Sequence, residues 1–203
     1  MKYILKKTLF ITVFMFTCSV LSLVVTLIPT TWVKLVLSIV SLIFCFLEVI
    51  LFTEKLGSEG QRVKNANVQA LKATLETGRK INIVKQGEYK WYNGALIGLL
   101  MCSVAILLLV IQAIVTACGG ETMVLAHIVK IMYAVFACPQ NSINNQISTY
   151  YVLCYIPFFI GASSLGYYIG KRKVDLEQQK IQEIADKIHG VSNDDDEEVE
   201  EDK

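Results

Sequence analysis

Four long stretches of the chain consist almost entirely of apolar residues, and lysine or arginine residues border them. They cover residues 8–28, 32–52, 94–116 and 150–170. Each has about the 20 residues that a helix needs to cross the hydrocarbon core of a bilayer. The apolar residues come in blocks, as expected where lipid or other helices surround a helix on all sides. The pattern predicts an all-α integral membrane protein built as a bundle of four transmembrane helices.

The composition supports this class and limits what else the chain contains. Hydrophobic residues make up 54% of the 203 residues, whereas a soluble domain has about 45–50% apolar residues. Four spans leave room for a connection at residues 53–93, another at 117–149 and a C-terminal segment. We therefore expect one bundle without a separate soluble catalytic domain.

The distribution of lysine and arginine predicts how the bundle is oriented. These residues concentrate in segments 1–7, 53–93 and 171–173, whereas the turn at 29–31 has none and the connection 117–149 contains only Lys130. Because basic residues of short loops stay in the cytoplasm, both termini and a helical loop at 53–93 are predicted to be cytoplasmic. The lysine-, isoleucine- and asparagine-rich composition is typical of a low-GC bacterium, so the expected location is a bacterial plasma membrane.

One further apolar segment, residues 123–137, complicates the count of spans. It has about 15 residues, fewer than a span needs, and contains His127 and Lys130. A fifth span would also place residues 171–173 outside. The pattern favours an interfacial or re-entrant helix. Cys118 and Cys138 flank this segment on the oxidising side, where either a disulfide between them or two separate thiols is compatible with the sequence.

The cytoplasmic parts are predicted to contain two helices. Ser58 and Gln61 match a capping box that begins one helix in the loop, and Gly78 is a plausible end for it. After the fourth span, apolar positions spaced three and four apart predict an amphipathic helix over residues 171–190. It is able to form a short coiled coil or to lie on the loop helix. Eight of the 18 acidic residues lie within 194–202, so residues 191–203 are predicted to form a disordered acidic tail.

Polar side chains form a stripe on each of the first two spans. The stripes contain Ser19 and Ser22 in the first span, and Ser38, Ser41 and Cys45 in the second. A short turn joins the spans, so they are predicted to be antiparallel neighbours whose stripes form hydrogen bonds worth about 0.6–2 kcal/mol each. The same stripes are also suited to line a pathway for an ion or a proton.

Glu48 is the sharpest candidate for function within a span. A carboxylate in a membrane is costly and marks a functional site by default. When charged it needs a partner, for which Lys55 and Arg62 are the nearest basic candidates along the chain. The alternative is a structural residue that reaches the headgroup region.

Small residues recur every four positions in the last two spans. They are Gly94 and Gly98 in the third span, and Ala162, Gly166 and Gly170 in the fourth. Such faces allow close approach of helix backbones. We expect the third and fourth spans to pack through them, within one chain or between two copies.

The chain contains no motif of a known catalytic chemistry. It has no nucleotide-binding glycine-rich loop, no H-E-x-x-H and no G-x-S-x-G, and its cysteines lack the C-x-x-C spacing of a metal site. No enzymatic activity, cofactor, metal or nucleic acid is therefore expected.

Two functions fit the sequence best. The first is a non-enzymatic accessory, scaffold or immunity-type membrane protein, which acts on a membrane or cytoplasmic protein partner through its loop, C-terminal helix and acidic tail. The second is a homo-oligomeric channel or small transporter in which Glu48 and the polar stripes line the pathway. A membrane-embedded enzyme acting on lipid or isoprenoid is a weaker third hypothesis.

Overall fold

The computed structural model describes residues 2–78, 83–84, 87–141 and 149–197, which form helices and the segments that join them. Within these ranges there is no β-strand. The helices are α1 (Lys2–Thr26), α2 (Thr31–Thr77), α3 (Asn93–Ala117), α4 (Met123–Met132), α5 (Ala134–Asn141) and α6 (Val152–Glu197), with a 3₁₀ turn at Thr149–Tyr151. Four of them, α1, α2, α3 and α6, are long and apolar enough to cross a membrane. The predicted all-α architecture with four candidate spans is confirmed.

The outer surface of these four helices is strongly apolar. Leu9 and Phe10 of α1 are each 67% exposed, and Leu107 of α3 is 62% exposed. Monomeric soluble proteins rarely expose contiguous apolar surface on this scale. Contact with lipid accounts for it, because lipid tails cover such residues without cost.

α1 and α2 are antiparallel neighbours. Ser22 near the end of α1 contacts Ser41 early in α2, whereas Phe10 stacks on Phe52 with ring centroids 5.9 Å apart. The contacts thus run in opposite order along the two helices, as the short turn between them requires. The predicted pairing is confirmed.

α6 lies between α2 and α3. Gly166 is adjacent to Ile50 and Thr53 of α2, and Gly170 to Glu54 and Ser58, so α2 and α6 run parallel. Against α3 the order is reversed, with Gly94 beside Ser164 and Gly98 beside Ile160. One end of the bundle therefore contains the N-terminal ends of α1 and α3 together with the C-terminal halves of α2 and α6. We call it the basic end, because it carries Lys7, Lys55 and residues 171–173.

α2 continues far beyond its apolar part. It is a single helix of 47 residues that ends at Gly78, where φ is 67° and the amide bonds to the carbonyl of Thr74. The predicted end at Gly78 is confirmed, but the predicted helix start at Ser58 is wrong. The Ser58 hydroxyl instead donates to the carbonyl of Lys55 within the helix. Packing of Gly57 and Gly60 against neighbouring backbone favours an unbroken helix here.

α6 also continues past its predicted end. It is a single helix of 46 residues that passes Gly190 and reaches Glu197. The helix therefore includes residues 191–197, which the sequence assigned to a disordered tail. The rest of that tail, residues 198–203, lies outside the described residues, as do residues 81 and 82 of the loop.

The apolar segment after α3 forms two short helices that break at Tyr133. α4 has 10 residues and α5 has 8, and at 1.5 Å per residue neither exceeds about 15 Å, half the thickness of a bilayer core. Val129, Val135 and Phe136 are at most 2% exposed, and the Phe136 ring lies 5.0 Å from that of Phe159 in α6. The two helices thus fill the end of the bundle opposite the basic end.

Candidate functional site

The polar stripes of α1 and α2 meet inside the bundle. The hydroxyl oxygens of Ser22 and Ser41 are 2.8 Å apart, which confirms the predicted hydrogen bond between the helices. Cys138 of α5 donates from Sγ to the carbonyl of Ser22 at 3.3 Å. Ser19, Ser22, Ser38 and Cys45 are each at most 1% exposed. In the single chain, these residues pack helix against helix.

Glu48 lies half-buried where α1 and α2 meet. Its carboxylate is close enough to Cys18 and Cys45 to interact with them electrostatically. It forms no hydrogen bond or ion pair with any described residue, and Arg62 pairs with Glu177 instead. The pathway role of Glu48 stays a prediction.

Cys118 and Cys138 are both described, and no disulfide joins them. Cys118 is exposed just after α3, whereas Cys138 is 2% exposed and faces α1. Of the two alternatives that the sequence left open, the structure has two separate thiols, because α5 turns its cysteine into the bundle, away from the surface where α3 ends.

The predicted packing of the third and fourth spans is confirmed for one of the two glycine faces. A Cβ on Gly94 would lie 2.8 Å from the Cα of Ser164, and one on Gly98 would lie 2.8 Å from the Cα of Ile160. Ser163 adds a hydrogen bond to the carbonyl of Gly94 at 2.9 Å. Close backbone contact thus joins α3 to α6 in one chain.

The other glycine face has a different partner from the one predicted. Gly166 and Gly170 contact α2, where a Cβ on Gly170 would clash with the carbonyl of Glu54 and lie 2.7 Å from the amide of Ser58. Ala162 packs against the hydrophobic core. The prediction was wrong for Gly166 and Gly170 because α6 has neighbours on two sides.

A cluster of polar and aromatic groups that the sequence pattern did not indicate lies at the basic end, centred on Tyr167. The Tyr167 hydroxyl accepts a hydrogen bond from Asn93 at 3.2 Å, and its ring stacks on Tyr89 with centroids 4.9 Å apart. The amide of Tyr89 donates to the carbonyl of Gly60 at 3.0 Å. A Cβ on Gly57 would clash with the carbonyl of Tyr167. The cluster therefore ties α2, α3 and α6 together.

The charged and aromatic groups of this cluster favour a structural role in joining the helices. Lys171 places Nζ 5.7 Å from the centre of the Tyr89 ring, within the range of a cation–π contact. Burial raises the pKa of Tyr89, and the charges of Tyr167, Tyr168 and Asp175 raise it further. Tyr89 is thus a neutral phenol at physiological pH. The sequence signal for this joint was the pair of glycines in α2, three residues apart.

Beyond this joint, α2 and α6 form two parallel extensions, residues 53–77 and residues 171–197. Polar contacts join them near the bundle: Gln61 to Asp175 at 2.8 Å, Lys173 to Glu54 at 3.1 Å and Arg62 to Glu177 at 3.2 Å. On the other side of α2, Asn67 exchanges two hydrogen bonds with the backbone of Val84.

Further along, both extensions expose apolar side chains. Leu71 and Leu75 of α2 are 51% and 79% exposed, and Ile181 and Ile184 of α6 are 66% and 58% exposed. These residues lie on the polar parts of the two helices, where lipid does not explain their exposure. They are the strongest candidate for a functional surface.

Comparisons of this chain with protein-family models, with curated proteins and with solved structures found no match. Among the residues that the structure describes, no group of three or more histidine, cysteine, aspartate or glutamate side chains is placed to hold a metal ion.

Proposed function

We propose that this chain is a non-enzymatic membrane accessory or scaffold protein that binds a protein partner through the extensions of α2 and α6. The observation that carries the proposal is the pair of parallel helices that leave the bundle together and expose Leu71, Leu75, Ile181 and Ile184. Ordered apolar side chains outside the bilayer are typical of a protein-binding surface.

We propose that the basic end faces the cytoplasm, with both termini there. Lys7, Lys55 and residues 171–173 lie at this end, whereas the described residues of the opposite end include only Lys34 and Lys130 as basic residues. This asymmetry supports the orientation through the positive-inside rule. The expected membrane is a bacterial plasma membrane, as composition favours.

Photo-crosslinking in the native membrane tests the binding role. A benzophenone amino acid in place of Ile184 is expected to form one discrete protein adduct, and the same group in place of Leu107 is expected to form none. Leu107 is the matched control because it is similarly exposed but lies on the apolar surface of α3. The Ile184 adduct should disappear in the Ile181→Gln background.

A homo-oligomeric channel or transporter is the second candidate, and the half-buried Glu48, which pairs with no described basic residue, favours it. Under this alternative, Glu48→Gln abolishes cation or proton flux in liposomes and no adduct forms at Ile184. Under the accessory function, Glu48→Gln leaves the adduct unchanged. The two outcomes separate the candidates.

A further inference from the structure

The exposed apolar residues of the two extensions continue the line along which α2 and α6 pack. On α2 this line passes through Gly57, Gln61, Lys64, Val68, Leu71 and Leu75. On α6 it passes through Tyr167, Gly170, Val174, Glu177, Ile181 and Ile184. Spacings of three and four are those of a coiled-coil interface. We call these two lines the α2 seam and the α6 seam.

Near the bundle the seams are covered, and farther out they are open. Gly57 packs on Tyr167, and Val174 is 3% exposed. After the Arg62–Glu177 ion pair, every apolar seam residue is exposed: Val68, Leu71, Leu75, Ile181 and Ile184. The outer part of each seam therefore presents coiled-coil positions on which no described helix packs.

The charged residues closest to the open part of the seams are lysines, whereas exposed Glu76 lies about 100° around α2 from its seam at 100° per residue. Lys64 and Lys72 on α2, and Lys180 and Lys187 on α6, are exposed, and none of the four forms an ion pair with a described residue. The one acidic seam residue, Glu177, is paired with Arg62. Glu183 and Asp186 lie about 140–160° around α6 from the seam at 100° per residue. An occupant of the seams thus meets apolar side chains and lysines.

We propose that the open seams bind an amphipathic helix of a partner protein, whose apolar stripe is bordered by aspartate and glutamate. This inference rests on the proposed function and adds the chemistry of the partner. Leucine-type side chains of the partner pack on the seams, while its carboxylates pair with Lys72, Lys180 and Lys187. Charge pairs at the edges of coiled-coil seams set the choice of partner.

The geometry argues against the lipid surface as the occupant. Along continuous helices, Leu75 lies about 35 Å beyond Phe52, and Ile184 about 20 Å beyond Gly170, at 1.5 Å per residue. Phe52 and Gly170 end the apolar spans. Both distances exceed the depth of one headgroup layer, given that the two headgroup layers together add about 10–15 Å to the hydrocarbon core.

The sequence argues against a second copy of α6 as the occupant. In a parallel pairing of two α6 seams, Lys180 faces Ala185 of the other copy. This neighbour carries no negative charge, so self-pairing gives Lys180 no acidic partner there. A foreign helix with acidic edges supplies one.

A pair of synthetic peptides tests this proposal on the full chain in zwitterionic nanodiscs. The probe is a fluorescein-labelled 21-residue helix with leucine at heptad positions a and d and glutamate at e and g. Its twin carries lysine at e and g. We expect saturable anisotropy with the glutamate peptide, binding at least roughly ten-fold weaker for the lysine twin, and loss of affinity with rising NaCl.

Variants of exposed residues assign the binding to the seams. The double variant Leu71→Gln and Ile181→Gln is expected to weaken binding of the glutamate peptide roughly ten-fold or more. The double variant Lys180→Glu and Lys187→Glu is expected to weaken it by about three- to ten-fold. Gln179→Glu is the matched control, because Gln179 is exposed on the face opposite the seam, and it should weaken binding far less. Unchanged helical circular dichroism shows that each variant is folded.

Several results would overturn the proposal. Equal binding of the two peptides removes the acidic requirement, and equal binding to empty nanodiscs removes the protein surface. If neither peptide binds and native mass spectrometry shows an oligomer that Ile181→Gln dissociates, the seams are a self-interface. If neither binds while the Ile184 photo-adduct persists, the accessory function stands and only the stated partner chemistry fails.

Discussion

Gln61 of α2 donates a hydrogen bond from Nε2 to Oδ1 of Asp175 in α6 at 2.8 Å. Lys171 approaches the other carboxylate oxygen, with Nζ 3.8 Å from Oδ2. The contact lies where the bundle gives way to the two extensions, and Gln61 is 6% exposed. Since Asp175 is held from both sides, this contact fixes how far α2 and α6 are shifted along one another.

Replacing the amide of Gln61 by a carboxylate should turn this contact into a repulsion. Gln61→Glu places two carboxylates together and is expected to cost about 1–3 kcal/mol of unfolding free energy at neutral pH. Repulsion raises the pKa of one carboxyl in the folded state, so the penalty is present above that pKa and shrinks as the pH falls through it. Thermal unfolding in detergent at pH 7.5 and pH 4.5, relative to the parent at each pH, measures this. Gln69→Glu, at an exposed position of α2, is the control; an equal loss in both variants would contradict the assignment.

The two glycines of α6 at positions 170 and 161 should respond oppositely to alanine. A Cβ on Gly170 clashes with the backbone of α2, whereas nothing lies within 4 Å of one on Gly161. Gly170→Ala is expected to destabilise the protein by about 1–3 kcal/mol. Gly161→Ala should be neutral or stabilise it by up to about 1 kcal/mol, because alanine favours the helix. Unfolding temperatures in one detergent compare the two; similar values would refute the close α2–α6 packing.

Tyr167 and its neighbour Tyr168 provide a matched test of the joint at the basic end. Tyr167→Phe removes the acceptor of the Asn93 amide while keeping the ring stacked on Tyr89, and is expected to cost about 1–2 kcal/mol. Tyr168 is 53% exposed, and its hydroxyl makes no hydrogen bond with the described residues, so Tyr168→Phe should change little. Unfolding temperature is again the measurement, and a larger effect at Tyr168 would contradict the contacts.

Cysteine labelling tests both the proposed orientation and the absence of a disulfide. With the basic end in the cytoplasm, a membrane-impermeant maleimide added to intact cells should modify exposed Cys118 without prior reduction. Because Cys154 near the start of α6 is also exposed, the comparison is made in a Cys154→Ser background, where the signal should vanish on adding Cys118→Ser. In that background a cysteine introduced by Gln179→Cys should react only after permeabilisation. Labelling of Cys118 only after permeabilisation would invert the orientation, and labelling only after reduction would indicate a bridge.

The sequence predicted the features that depend on spacing within one helix. The stripes of Ser22 and Ser41 follow from helical periodicity and a short connecting turn, and the structure brings them together. The small-residue positions Gly94 and Gly98 likewise follow from a four-residue repeat. For the serine stripes the short turn also limits the partner, so a pattern in one dimension is sufficient, whereas the glycine repeat predicts only that another backbone approaches closely.

The features that depend on which helices are neighbours were missed. The repeat of Gly166 and Gly170 shows that a backbone approaches closely, but it contains no information on whether that backbone belongs to α2 or α3. Ser58 and Gln61 have the spacing of a capping box, yet tertiary packing of Gly57 and Gly60 keeps the helix continuous. Asn93 and Tyr167 are far apart in the chain, and only the fold brings them together.

The unbroken course of α2 has a mechanical consequence. One helix of 47 residues is about 70 Å long at 1.5 Å per residue. It has no break between its apolar span and its C-terminal end at Thr77. A tilt of about 5° within the bilayer therefore moves the tip, some 37 Å farther along, by about 3 Å. Because Gln61 and Arg62 couple α2 to α6, the two extensions move together. A small tilt of the helices within the bilayer thus becomes a larger displacement of the exposed surface at the ends of the two extensions.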